Sequence, residues 1–305
     1  MRVALLQGGR SLERGVSLRS GTRVADALLE LGHEVDAMDL GPDLVSRLSQ
    51  FAPDVAFIAL HGTDGEDGTI QALLELLRIP HTGPRVAACQ RCMDKSLAKY
   101  IFRENGIATP DWVTYSEAGI RDFGAASTFP RAVETLGLPL VAKPVSQGSS
   151  LGVKVVTTRE EIPAALMTAF SYDERALLET WVSGRELAVS VLGDDVLPVV
   201  EAIPTGSNAY DFEARYEIGG ARFVCPAELP EAEAGEVKRI SLAAYEALGC
   251  SGFSRVDLIL GERGPQVLEV NAIPGLTETS LLPQAAEAAG VSFGDMLEKI
   301  LELAR

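Results

Sequence analysis

Four side chains that could bind a metal ion or stabilise negative charge lie between residues 255 and 271. Arg255 and Asp257 occupy one apolar run, and Glu269 and Asn271 occupy a second one after a short polar turn. Two apolar runs joined in this way predict a β-hairpin. Because side chains alternate between the two faces of a strand, Glu269 and Asn271 share a face, as do Arg255 and Asp257.

If Asp257 lies opposite the pair on the second strand, two carboxylates and an amide oxygen converge. Oxygen ligands of this kind suit Mg²⁺, which usually also binds the phosphates of a substrate. A hairpin whose polar face meets water is the alternative, and the spacing alone leaves both interpretations open.

A second group of residues is typical of a phosphate site. Lys143 ends a predicted strand, and Gly148, Ser149 and Gly152 lie in the turn rich in glycine and serine that follows. A lysine supplies a point charge, and glycines let backbone N–H groups approach an anion closely. A hairpin turn without a ligand explains the segment equally well.

Two further segments carry carboxylates where a ligand could use them. Residues 179–182 read ETWV, with Glu186 just beyond, and they suit the edge of an adenine and the hydroxyls of a ribose. Glu13 follows the first predicted strand, where it could hold an ammonium group. Each of these carboxylates has an ordinary alternative, as a solvated charge on a strand or at the start of a helix.

Strands and helices alternate in the first part of the chain and predict a doubly wound parallel sheet, with ligands at the carboxyl ends of its strands. The predicted strands there are 2–7, 33–39 and 54–60, and the predicted helices are 17–31 and 69–78. Further helices are predicted from 94 onward and at 131–136, 160–169, 231–248 and 292–304, with strands near 112–115, 140–144, 153–156, 177–182, 185–192 and 196–202. We expect three domains, at 1–94, 95–182 and 183–305.

Composition narrows the class of protein. The chain has 305 residues and a net charge of −16. That charge argues against a nucleic-acid partner, because binding phosphate backbones needs a basic surface. No apolar run approaches the ~18 residues of a membrane-spanning helix, so we expect no membrane association. Four cysteines predict a reduced, cytoplasmic protein, with Cys89 and Cys92 as partly buried thiols on one helix.

The order of several segments is more specific than any one of them. The segments are GGRSLERGVSLRSG, ALHGTDGEDGTIQ, MDKSLAK, VAKPVSQGSSLGV, LETWVSGREL, YDFEARY, GFSRVDLIL and LEVNAIPGLTETSLLP. This order closely resembles the D-alanine–D-alanine ligase family of the ATP-grasp superfamily, across nearly the whole chain. The resemblance implies an α/β and α+β ATP-grasp fold with an N-terminal doubly wound parallel sheet.

The same resemblance implies an activity and its partners. It implies a cytoplasmic enzyme, a homodimer, that joins two D-alanines through a D-alanyl phosphate to make D-alanyl-D-alanine for peptidoglycan precursors. ATP is implied as cosubstrate with two Mg²⁺ ions, for which Mn²⁺ could substitute. A closing lid at residues 210–216 is implied as well, since an acyl phosphate hydrolyses when wet.

The resemblance assigns a role to each candidate site residue. Those implied to bind the nucleotide and the metal are Lys95 and Lys143 for phosphates, Glu179, Trp181 and Val182 for adenine, Glu186 for ribose, and Asp257, Glu269 and Asn271 for Mg²⁺. Those implied to act on the amino acids are Glu13 and His61 at the first D-alanine, Ser280 and Leu281 at the second, Arg255 and the Gly275 N–H at the oxyanion, and Ser149 and Tyr216 in a network with Glu13.

The sequence leaves other functions open. A related ligase could make D-alanyl-D-lactate or D-alanyl-D-serine, and a non-catalytic nucleotide sensor could use the same scaffold. A dinucleotide-dependent oxidoreductase is disfavoured, because the first strand is followed by GGRSLE and not by the GxGxxG pattern.

Overall fold

A central parallel sheet organises the first part of the chain. The computed structural model describes residues 1–204 and 221–304. Strand β1 (Arg2–Gln7) lies between β2 (Glu34–Asp39) and β3 (Val55–Ile58), and both neighbours run parallel to it. Helices α1 (Arg14–Glu30) and α2 (Leu44–Phe51) pack on these strands. The middle residues of β1 are buried, which is why that strand is a continuous apolar run.

The second sheet is antiparallel and has four strands, in the spatial order β4, β7, β5, β6. These are β4 (Trp112–Ser116), β5 (Leu140–Pro144), β6 (Lys154–Val156) and β7 (Arg175–Thr180). The helices before and around it are α3 (Thr69–Leu76), α4 (Val86–Met93), α5 (Lys95–Glu104), α6 (Glu117–Phe123), α7 (Phe129–Leu136) and α8 (Ile162–Phe170). Short 3₁₀ helices at Ala125–Thr128 and Arg159–Glu161 lead into α7 and α8.

The third sheet is also antiparallel and carries the hairpin singled out from the sequence. Its strands are β8 (Gly184–Leu192), β9 (Asp195–Val196), β10 (Val200–Pro204), β11 (Ala221–Val224), β12 (Phe253–Gly261) and β13 (Gly264–Asn271). The spatial order is β11, β10, β8, β12, β13, with β9 paired to β8. Three helices complete this part, α9 (Glu231–Ala247), α10 (Leu281–Ala288) and α11 (Phe293–Glu302).

Apolar side chains form two main cores. The larger core is shared by the first and third sheets and includes Phe57 on β3 and Phe253 on β12. The second sheet has a core of its own, which includes Leu140, Ile162 and Leu178. The second sheet is therefore packed separately, although it lies between the other two in the sequence.

Most predicted elements are confirmed in type, with bounds that differ by a few residues. Helix α1 begins at Arg14, three residues before the predicted start, because the carbonyl oxygen of Glu13 already accepts hydrogen bonds from Val16 and Ser17. Helices α2, α6 and α10 and strand β11 were not predicted. The three-domain division stays a prediction. Over the two described ranges, no helix combines the length and the apolar character needed to cross a membrane.

The parallel sheet gives a test of core stability. Phe57 is fully buried, so we expect Phe57→Ala to lower the free energy of unfolding by about 3–5 kcal/mol through lost burial and the cavity left behind. Urea denaturation measures the change. The control is Phe123→Ala, whose side chain is 83% exposed and should alter stability by less than about 0.5 kcal/mol. Equal losses in the two variants would contradict this account of the core.

Candidate active site

The hairpin of β12 and β13 brings its polar side chains together. Arg255 lies opposite Asn271 and Asp257 lies opposite Glu269, and a shift in register follows directly after Asp257. The amide nitrogen of Asn271 donates to a carboxylate oxygen of Asp257 at 3.0 Å. The predicted convergence of these residues on one face is therefore confirmed.

Arg255 and Asp257 form a paired contact on strand β12. The Nε and Nη2 atoms of Arg255 each donate to a different oxygen of Asp257, both at 2.7 Å. Both side chains are largely buried, with 13% and 11% exposed. A two-point contact of this kind fixes the plane of the guanidinium, so the arginine is held in one orientation before any ligand binds.

The oxygen donors of this face fit a hard divalent cation. In the part of the chain that the structure describes, no cluster of three or more His, Cys, Asp or Glu side chains could hold a metal ion. A metal here would therefore rest on Asp257, Glu269 and Asn271 together with oxygens from a ligand or water. Mg²⁺ is usually bound in this manner, by one or two carboxylates and substrate phosphates.

Two lysines predicted for phosphate binding lie beside these carboxylates. The Nζ atom of Lys95 is 3.0 Å from a carboxylate oxygen of Glu269 and donates to the carbonyl oxygen of Gln147 at 2.6 Å. The Nζ atom of Lys143 is 2.6 Å from Glu179. Lys95 is the first residue of α5, and its backbone N–H donates to Val145 at the end of β5. The end of the helix is thus tied to the strand that carries Lys143.

A cleft between the second and third sheets contains the other predicted nucleotide residues. Val141 and the pair Trp181 and Val182 line it from the second sheet, and Ile259 and Leu268 line it from the third. Both lysines, Glu179, Glu186, Asp257 and Glu269 also line it. The cleft therefore has apolar walls, with cations and carboxylates placed together.

Glu179 is buried between two lysines. Lys143 is 2.6 Å from one of its oxygens and Lys99 is 3.0 Å from the other. Burial alone would raise the pKa of Glu179, but the charges of the two lysines outweigh it and hold that pKa below the ordinary value. Glu179 therefore remains ionised, with both of its oxygens engaged.

The turn after Lys143 reaches the first sheet. Ser149 and Ser150 adopt left-handed backbone conformations, with φ of 53° and 58°. The hydroxyl of Ser149 donates to the carboxylate of Glu13. Two glycines leave room for that carboxylate, since a Cβ atom on Gly62 would lie 2.6 Å from it and one on Gly148 would lie 3.2 Å from it. The predicted contact between Ser149 and Glu13 is present in this structure.

His61 joins the first sheet to the segment after β13. Its Nε2 atom is 3.1 Å from the hydroxyl of Ser20, and its Nδ1 atom is 3.1 Å from the carbonyl oxygen of Ile273. Glu66 lies 3.4 Å from the same Nδ1 atom. Burial raises the pKa of the Glu66 carboxyl. Both ring nitrogens of His61 thus have protein partners within this structure.

The segment that contains Gly275 is held from two sides. The hydroxyl of Ser20 accepts from the N–H of Leu276 at 3.2 Å, and Arg23 donates to the carbonyl oxygens of Leu276 and Thr277. A Cβ atom on Gly275 would lie 2.8 Å from the hydroxyl of Ser280, so a larger residue here would displace that hydroxyl. Ser280 immediately precedes α10, and Leu281 is the first residue of that helix.

Tyr216 and the predicted lid at 210–216 lie outside the described residues. Among the described ones, Ser20, Glu66 and Lys99 contact site residues, Arg23 contacts the segment just after Gly275, and none of the four was predicted from the sequence. Glu66 lies in the quoted segment ALHGTDGEDGTIQ, and Lys99 lies one helical turn after Lys95, so spacing offered a signal for both. Ser20 lies in the quoted segment GGRSLERGVSLRSG, on the buried face of α1, so it carried a signal as well. Nothing in the local sequence distinguishes Arg23 from the other arginines of that helix.

Comparison with protein families decides which family this fold and site belong to. The model described as "D-ala D-ala ligase C-terminus" matches residues 101–302, and the one described as "D-ala D-ala ligase N-terminus" matches residues 41–84. The chain belongs to the D-alanine–D-alanine ligase family. The ATP-grasp fold class expected from the sequence is therefore confirmed.

Individual relatives agree with this assignment. The chain is 42% identical over 312 residues to a D-alanine–D-alanine ligase of Moorella thermoacetica, which covers 100% of this chain and 99% of that protein. The crystal structure of the ligase from Bacillus anthracis complexed with ATP has a TM-score of 0.86 and 34% identity, covering 100% and 97% of the two chains. The VanG D-Ala:D-Ser ligase from Enterococcus faecalis has a TM-score of 0.85 and 29% identity, covering 100% and 99%.

The contacts of Ser20 predict a cost for losing its hydroxyl. We expect Ser20→Ala to lower the free energy of unfolding by about 1–3 kcal/mol, because the buried Nε2 atom of His61 and the N–H of Leu276 both lose a partner. Urea denaturation measures this loss. In the control Ser49→Ala, an exposed hydroxyl that donates only to Val45 is removed, and stability should change by less than about 0.5 kcal/mol. A Ser20 variant as stable as this control would be inconsistent with the contacts.

Proposed function

We propose that this cleft carries out the ATP-dependent joining of two D-alanines to D-alanyl-D-alanine, a building block of peptidoglycan. The observation that carries the proposal is the meeting of three groups at one place. Lys95 and Lys143 supply positive charge, Asp257 and Glu269 supply oxygens that could bind a metal ion, and Glu13 accepts a hydrogen bond from Ser149 in the turn that follows Lys143. Membership of the family and the printed names of its relatives support the same activity.

The proposed chemistry begins at the carboxylate of the first D-alanine. Glu13 would hold the ammonium group of this substrate, with Ser149 fixing one of its oxygens. An oxygen of the substrate carboxylate forms a bond to the γ-phosphorus of ATP, and the bond from that phosphorus to the β–γ bridging oxygen breaks. ADP leaves, and the substrate becomes D-alanyl phosphate, whose phosphate is a good leaving group.

Positive charge is the main requirement of this first step, because negative charge spreads over the transferred oxygens. Lys95 and Lys143 are placed to meet the phosphates. We propose that Asp257, Glu269 and Asn271 would hold two Mg²⁺ ions, with Mn²⁺ as a substitute. Bound there, the metal would add positive charge at the phosphate oxygens.

In the second step the amine of the second D-alanine attacks the carbonyl carbon. The new C–N bond forms, the amine loses a proton, and phosphate leaves as the C–O bond breaks. Arg255, held in place by Asp257, and the N–H of Gly275 would stabilise the oxyanion in between. Ser280 and Leu281, at the start of α10, would bind the carboxylate of the second substrate, where a helix N-terminus favours an anion.

Further assignments concern the lid, the ribose, the location and the assembly. We propose that residues 210–216, with Tyr216, close over the cleft and exclude water from the acyl phosphate. We also propose that Glu186 binds the ribose and that the protein is a cytoplasmic homodimer. Light scattering after size-exclusion chromatography measures the assembly, and a monomeric mass would overturn that part.

Product formation tests the proposed reaction. Purified protein with ATP, Mg²⁺ and D-alanine should release phosphate and form a dipeptide detected by mass spectrometry, whereas L-alanine and the absence of amino acid should give neither. Parallel reactions with D-serine or D-lactate as second substrate identify the related ligases. ATP binding without any phosphate release or product would instead identify a nucleotide sensor and refute the proposal.

The role of Glu13 has a test of its own. We expect Glu13→Gln to raise the KM for D-alanine roughly 10- to 100-fold while that for ATP changes little, because a charge-assisted hydrogen bond to the ammonium group is lost. Steady-state kinetics with each substrate varied in turn separate the two effects. Glu30→Gln, at the exposed far end of the same helix, is the matched control. A change confined to the KM for ATP would show that Glu13 acts on the nucleotide and not on the first D-alanine.

A further inference from the structure

Lys99 is a buried cation behind the nucleotide cleft. It lies on α5, one helical turn beyond Lys95, and it is among the largest fully buried side chains of the described chain. Lys95, Lys143 and Glu179 line the cleft, whereas Lys99 is separated from it by Glu179. A lysine is rarely buried completely unless it is paired, so its partners show what it does.

Three acceptors surround the ammonium group of Lys99. Its Nζ atom lies 3.0 Å from a carboxylate oxygen of Glu179, and it donates to the hydroxyl of Thr109 at 2.7 Å and to the carbonyl oxygen of Pro110 at 3.0 Å. The ammonium group thus donates two hydrogen bonds and forms an ion pair with Glu179. Lys99 is therefore held in one position, with its charge directed at Glu179.

The charges of this cluster leave a surplus. Glu179 carries one negative charge, and Lys99 and Lys143 carry one positive charge each, on opposite oxygens of the same carboxylate. Without Lys99, Lys143 and Glu179 would form a neutral pair at 2.6 Å. An anion approaching Lys143 would then have to compete with a buried carboxylate that has no other cation.

We propose that Lys99 is a positioning residue for ATP, which neutralises Glu179 from behind and so leaves the charge of Lys143 available to the phosphates. The inference rests on the proposed function, because it takes ATP as the ligand of the cleft. Lys99 acts through Glu179 and does not touch the nucleotide itself. Its effect is electrostatic, and it grows in a buried setting where charges are poorly screened.

Protonation of Lys99 makes this role sensitive to pH. Burial lowers the pKa of Lys99 to about 8. The charge of Glu179 on β7 opposes that shift, and the charges of Lys143 on β5 and of Arg103 on the same helix add to it. Below this value Lys99 is charged, and above it the surplus positive charge is lost. ATP affinity should therefore fall as the pH rises through about 8.

Direct binding measurements separate an electrostatic role from a structural one. In isothermal titration calorimetry with Mg²⁺ present, we expect Lys99→Met to weaken ATP about tenfold and adenosine by less than about threefold, because only ATP carries the phosphates. The matched control is Arg103→Met, which removes one positive charge from the same helix. Arg103 contacts Asp111 and not Glu179, so this variant should bind ATP nearly as the unaltered protein does.

A second measurement uses the unaltered protein, so it does not depend on whether the Lys99→Met variant folds. ATP affinity of the unaltered protein should decline several-fold between about pH 7 and 9.5, with proton uptake on binding seen as a dependence on buffer ionisation enthalpy. Lys99→Arg should flatten this profile, because a guanidinium stays charged throughout.

The outcomes distinguish a failure of the proposed function from a failure of the role of Lys99. An unaltered protein that binds no ATP would refute the proposed function itself. If it binds ATP, then either a flat pH profile or an equal loss of ATP and adenosine affinity in Lys99→Met would overturn the role of Lys99 alone.

Discussion

The cost of placing charge out of water is the constraint on which this site depends. A buried carboxylate is tolerated only when cations and hydrogen-bond donors replace its lost hydration. Glu179 meets this requirement with two lysines, Glu269 meets it with Lys95, and Asp257 meets it with Arg255 and Asn271. The same cations are the groups that a phosphate would need, so one set of contacts both compensates the buried carboxylates and prepares the cleft for an anion.

A second constraint is that the site draws on all three sheets. The contacts of Ser20 and His61 fasten α1 to the segment with Gly275, and the bond from Ser149 to Glu13 crosses from the second sheet to the first. Substrate groups placed by different sheets must be aligned to within fractions of an ångström for efficient transfer. Hydrogen bonds between rigid elements provide such alignment better than long side chains from a single surface.

The hairpin shows why part of the site could be predicted. Alternation along a strand is a strict rule, so Glu269 and Asn271 could be placed on one face before the fold was known. That Asp257 lies opposite them depends on the register of the hairpin, which the structure supplies. The burial of Lys99 could not be predicted, because burial of a helical lysine depends on how α5 packs against β4 and β7. The contacts of Ser20 and Arg23 depend on a segment more than 250 residues away in sequence. The missed helices α2, α6 and α10 are short, and tertiary packing decides whether such segments form.

The separate core of the second sheet has a consequence for motion. A boundary between two independently packed bodies can open and close without exposing the interior of either, so it costs little compared with unfolding. Among the described residues, two of the contacts that join the second sheet to the rest of the site, Lys95 with Glu269 and Ser149 with Glu13, are polar. The nucleotide cleft therefore lies at the boundary between the two cores, where the molecule can open and close. Amide protons at that boundary should exchange with solvent long before those of either core.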